Sequence, residues 1–246
     1  MNTKANSTIL MFGAWSALIY PILIILGWWI MAGFIPPPKP SATAAEIVSR
    51  IQGNTLGIRA GMVVTMFAAM FAIPLCATVT YFLTKIEGFF GPLSVMQVMA
   101  APCMAMITFY PPMWWLIASF RPDRSPDLTL MLNDASWLQW GGGLTTYLPC
   151  LFTITIASFI DKSKNPVFPR WFGYVCIWLV LLLLPAECIF FFKSGPFAWN
   201  GLISFYLAIA AYALWFPVAF VILRNAVLKL NTPEQVLALD QAPMRV

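Results

Sequence analysis

TILMFGAWSALIYPILIILGWWIMAGF, Thr8 to Phe34, runs from end to end without a charged side chain. A helix needs about 20 mostly apolar residues to cross the hydrocarbon core of a bilayer, and this run exceeds that. It is also too long for the core of a secretory signal peptide, and it lacks the small-residue cleavage pattern. The segment therefore predicts a spanning helix that stays in the mature chain.

The same reading carried outward gives further apolar runs, bounded by charges or prolines, near 60–84, 93–120, 137–160, 171–192 and 200–223. Hydrophobic residues make up 61% of the chain and charged residues 9%, where a soluble domain carries about a quarter charged. No soluble fold could bury that much apolar surface. The expected fold is all-α: a polytopic membrane protein, one integral domain over 1–246, built as a bundle of about six transmembrane helices with a tail at 225–246.

Six spans put both termini on one side. With the N-terminus inside, the inner segments hold Lys4, Lys85, Lys162, Lys164, Arg170, Arg224, Lys229 and Arg245, and the outer ones hold Lys39, Arg50, Arg59, Arg121, Arg124 and Lys193. The inner excess, concentrated in the short loop with Lys162, Lys164 and Arg170, favours cytoplasmic termini. Trp28, Trp29, Trp114, Trp115, Trp137, Trp140 and Trp199 then fall near the outer span ends, which predicts an aromatic belt at the headgroup level.

The longest outer connection opens with Pro36, Pro37, Pro38 and Pro40, which hold the chain extended. Thr43 followed by Glu46 is a capping-box pattern, and Ile47, Val48 and Ile51 make an apolar stripe. A short amphipathic helix on the outer surface is expected there. A second is expected at 127–138, running into the fourth span. Each span also contains proline: Pro21, Pro74, Pro102 with Pro111 and Pro112, Pro149, Pro185 and Pro217. Every one removes a backbone donor and frees a carbonyl one turn back, so kinked helices with space between them are expected. Gly141, Gly142 and Gly143 lack the lysine and hydroxyl of a phosphate loop and predict close helix contact instead.

The chain has no histidine, which removes bis-histidine haem ligation and histidine general-base catalysis. Its five cysteines are dispersed through apolar stretches and predict small buried side chains rather than disulfides or a metal site. No basic run of the kind that grips nucleic acid is present, and no cofactor is implied.

Glu187 is the one ionisable side chain well inside a predicted span, and a carboxylate there is a site hypothesis by default. Arg59, Arg121 and Lys193 are its possible partners, with Asn200 among the polar residues able to line an interior. A structural ion pair and a polar vestibule for a ligand head group, an ion or a proton are both open. Asp123, Asp127, Asn133 and Asp134 around Arg121 and Arg124 read as a mixed-charge patch that pins its own loop.

Three segments also carry a likeness. Phe120-Arg121-Pro122-Asp123-Arg124 with Leu132-Asn133-Asp134, then Phe168 to Tyr174 (FPRWFGY), then Phe191 to Gly201 (FFKSGPFAWNG), resemble a family of bacterial six-span membrane proteins with no established activity. The resemblance implies the six-span architecture and a bacterial inner membrane, and carries over no catalytic residue. Three functions stay open. The first is binding or transfer of a small hydrophobic or amphipathic molecule between kinked helices, with Glu187 and Arg121 near the outer mouth. The second is an accessory subunit packing against protein partners, and the third is a membrane enzyme working without histidine.

Overall fold

A computed structural model describes residues 3–230, and the expected tail from 231 onward lies outside the described residues. Among them there are helices and no strands. The order is α1 (Thr3–Ile24), a π-helical turn (Ile25–Met31), α2 (Ala44–Gly53), α3 (Thr55–Glu87), α4 (Pro92–Phe120) and α5 (Pro126–Gly142). A 3-10 segment (Gly143–Thr146) leads into α6 (Leu148–Ile160); α7 (Arg170–Leu183) follows and ends in a second 3-10 segment (Leu184–Phe190). A π-helical turn (Leu202–Leu207) then opens α8 (Ala208–Leu230).

Six of these units are long and apolar enough to cross a bilayer: 6–31, 55–87, 92–120, 126–160, 170–190 and 202–230. The protein is therefore an integral, multi-pass membrane protein in contact with lipid. Several spans are longer than expected. The second, at 33 residues, extends about 50 Å against a hydrocarbon core of about 30 Å, and α8 runs on through Arg224 and Lys229. The stretch at 127–138 belongs to α5 and is continuous with the rest of the fourth span.

α2 lies over one end of the bundle, the roofed face, where the first span ends and α3 begins. Its Thr43 capping box is complete: the Thr43 side chain accepts from the Glu46 amide, and Glu46 accepts from the Thr43 amide at 2.7 Å. Ile47 and Ile51 are buried beneath it. Polar side chains then fasten the roof to loop carbonyls, which have no helical partner of their own. Arg50 donates to Gly33 (2.9 Å) and Pro36 (2.7 Å), Asn54 to Met31 (3.0 Å), and Trp199 to Pro38 (2.8 Å).

The Glu46 carboxyl sits below its ordinary value of 4.5 because the Thr43 amide, and then the Thr43 hydroxyl, donate to its charged form. A depressed carboxyl stabilises the folded state above the unfolded value and loses that contribution as pH falls through the folded one. Protection of the 44–53 amides, taken relative to their intrinsic exchange rates at each pH, should therefore hold from neutral pH to about 5 and fall below about 4. Thr43→Ala should lower that protection at every pH, by about 1 kcal/mol of local stability. Equal exchange in the variant and the parent would show that the cap does not hold α2.

At the opposite end Glu87 caps α4, accepting from the amides of Leu93 and Ser94 (2.9 Å each) and from the Ser94 hydroxyl (2.6 Å). Gly88, at φ 76°, turns the chain there. Between the two ends the core is a continuous apolar cluster drawn from all six spans.

Candidate functional site

Toward the roofed end, four spans leave α-helical geometry. Pro21 cannot donate within the first span, and the helix widens to π geometry four residues later. The fourth span tightens to 3-10 at Gly143–Thr146, just before Pro149, and the fifth does so at Leu184–Phe190, around Pro185. The sixth begins as a π-helix, with Ser204 donating to the Pro185 carbonyl at 2.8 Å. Such irregular backbone at membrane depth is tolerated where it is buried in protein or lines a cavity, and π-bulges often occur at functional sites.

A cavity of about 110 Å³ lies among these segments, walled by the first, third, fourth, fifth and sixth spans. Its wall is mostly apolar, with Ile24, Ile107, Leu183 and Ile209, and aromatic where Trp28, Trp140 and Phe205 meet. Trp28 stacks on Trp140, their rings 5.2 Å apart and tilted by 15°. Ile25 and Trp29, which are 40% and 49% exposed, also line it, so it reaches the bilayer-facing surface beside the first span.

Two polar features mark the cavity. The Tyr20 hydroxyl shares hydrogen bonds with Thr108 (2.6 Å) and Tyr212 (3.2 Å), tying the first, third and sixth spans together. The Trp28 indole N–H is buried and has no partner. The Trp137 indole N–H, in the same aromatic cluster, is likewise buried without a partner.

The expected sites fall in different places. Arg59 and Arg121 come together with Arg124 in a second crevice, on the roofed face between α2, the start of α3 and the end of α4. Arg59 donates to the carbonyls of Ser119 and Phe120, covering the open end of α4 and lying over the Phe120 ring at 5.8 Å. Glu187 lines neither space. One of its carboxylate oxygens is buried without a partner, and the carboxylate faces the backbone amide of Thr145. Lys193 is exposed and lies in electrostatic range of Asp134, while Asn200 is half-buried in the turn that precedes the sixth span.

The tryptophans differ from the expected belt. Trp28, Trp115, Trp137 and Trp199 are buried and, with Trp140, Phe34 and Phe205, form an aromatic cluster inside the bundle. Only Trp29 and Trp114 of the expected set are substantially exposed. Gly141 and Gly142 do permit close helix contact: a side chain on either would strike Ile189 or Phe190 of the fifth span.

Sequence reasoning passed over Trp28 as a donor and Tyr212 as a cavity residue. Tyr20, Tyr147 and Tyr212, three tyrosines in otherwise apolar spans, were the available signal. Of the expected mixed-charge patch, Arg121 and Arg124 line the crevice, while Asp123 and Asp127 are exposed and line no part of it.

Set against known proteins, the chain matches no family model, no curated protein and no solved structure. The likeness noted in the sequence thus identifies no family. Fold and site together define a multi-pass membrane protein with an aromatic-walled cavity between distorted helices.

Proposed function

We propose that the protein binds a small hydrophobic or amphipathic molecule in the cavity between its first and sixth spans, for uptake or transfer. The mostly apolar, aromatic-walled cavity, enclosed by five spans and reaching the bilayer-facing surface beside Ile25 and Trp29, carries the reading. A ligand with an apolar body fits that wall, and one polar group on it fits the few hydroxyl-bearing residues there, Tyr20, Thr108, Ser204 and Tyr212. An apolar cavity of about 150 Å³ accepts benzene, so about 110 Å³ suits a small ring or a short branched chain, with the remainder of a larger molecule extending toward lipid. With cytoplasmic termini, as the positive charges of the 161–170 loop favour, the cavity belongs to the outer half of the bilayer.

The test is native mass spectrometry of the whole chain released from very mild detergent. The wild type should retain a specific non-bulk molecule. Ala213→Phe, which places a ring in the cavity from a half-buried position, should lose it with the unfolding temperature unchanged. Absence of any specific small molecule, or retention unaffected by Ala213→Phe, would sink the proposal. A stoichiometric protein partner in its place would favour the accessory-subunit role.

A further inference from the structure

We propose that the crevice holding Arg59, Arg121 and Arg124 is an anion site that takes a phosphate-bearing group at the membrane surface. It is separate from the cavity and does not depend on what the cavity binds.

The crevice measures about 420 Å³, and its only charged lining residues are these three arginines. No carboxylate lines it. The neutral groups at its edge are already engaged: the Thr55 hydroxyl donates to Ile51, the Thr129 hydroxyl to Ser125, and the Gln52 amide to Pro122. They are poorly placed to compensate the guanidinium groups. Arg59 is fixed by the two α4 carbonyls and the Phe120 ring, yet its Nε is buried without a partner, as is the Nε of half-buried Arg124. Three like charges brought together, two of them partly desolvated, raise the energy of an empty crevice and lower it for an anion. Planar guanidinium forks match phosphate oxygens, and charge-assisted bonds of this kind are about twice as strong as neutral ones.

Position narrows the ligand. The crevice lies where α3 begins and α4 ends, the level of the lipid head groups for spans of this length. It is also roomier than one phosphate requires, leaving space for a glycerol or sugar substituent. The shared chemistry is a phosphate monoester or diester, supplied by an anionic lipid or by a soluble phosphate ester.

The experiment uses the full chain and two probes. Native mass spectrometry after release from mixed phosphatidylcholine and phosphatidylglycerol vesicles reads lipid retention, and calorimetry with glycerol phosphate reads the soluble source. Wild type, Arg121→Ala and Arg121→Ala with Arg124→Gln are compared, and Arg59 is left in place because it closes α4. Selective retention of phosphatidylglycerol, reduced about tenfold by Arg121→Ala and weakened by salt, supports the site with a lipid source. Glycerol phosphate binding with the same losses supports it with a soluble source. Neither probe bound, or either bound equally by wild type and Arg121→Ala, overturns the proposal. Arg121 is exposed, so the single variant decides even if the double variant fails to fold.

Discussion

Trp137→Ala should lower the unfolding temperature of the detergent-solubilised protein by roughly 10 °C, a loss of about 3 kcal/mol. Trp137 is 1% exposed, and its ring meets those of Trp28, Phe34, Trp115, Trp199 and Phe205 at centroid distances between 5.3 and 6.3 Å. Aromatic pairs of this geometry contribute about 0.5–1.5 kcal/mol each beyond the area they bury. In a bilayer the unfolded helices already sit in an apolar medium, so transfer from water contributes little and the lost packing dominates. Two controls separate this cluster from a general need for tryptophan. Trp114, 36% exposed, has its indole N–H bonded to Gln139 at 2.7 Å, and Trp114→Ala should have a smaller effect. Trp137→Phe keeps a ring and removes an indole N–H that has no partner, so it should fall between wild type and alanine. A thiol-reactive dye that follows exposure of the interior Cys76, Cys150 and Cys176 gives the measurement. Equal shifts for Trp137→Ala and Trp114→Ala would mean that the cluster does not hold the roofed end together.

The six spans were legible because length and apolarity alone define them, and α2 was legible because Thr43 and Glu46 are local chemistry. The inward placement of the tryptophans was not. In a soluble helix the 3.6-residue apolar stripe tells the inner face from the outer one, but a membrane helix is apolar all round and gives no such contrast. Trp28 and Trp29 are therefore equivalent in sequence, while one is buried and the other half exposed. The π and 3-10 segments were hidden for a related reason. Prolines mark where a helix can distort, but packing against neighbouring spans decides whether it widens, as after Pro21, or tightens, as around Pro185. Of the candidate site, the convergence of Arg59 and Arg121 was not readable from spacing. Arg59 is held by backbone carbonyls of α4, and a carbonyl partner leaves no complementary residue in the sequence.

The approach of the first span to α3 yields the second large effect. A Cβ on Gly61 would fall well inside contact distance of the Gly27 carbonyl oxygen, and one on Gly27 would do the same to the Gly61 carbonyl. Both obstacles are backbone, and the Gly61 carbonyl also accepts from the Thr65 hydroxyl at 2.9 Å, so neither can swing aside as a side chain would. Small residues at such crossings let helices approach closely where no hydrophobic force drives them together. Gly61→Ala should therefore push the π-helical turn away from α3, destabilising the fold by about 3 kcal/mol, the upper end of ordinary overpacking. Gly53→Ala is the matched control, because a Cβ there meets nothing within 4 Å, and it should be neutral or slightly stabilising. Gly27 immediately precedes Trp28, so the same displacement would move a wall of the cavity. Retention of the molecule proposed for that cavity should then fall in Gly61→Ala even at temperatures where the variant is fully folded. Folded Gly61→Ala that retains ligand as wild type does would uncouple the crossing from the cavity, and an unchanged unfolding temperature would remove the crossing itself as a source of stability.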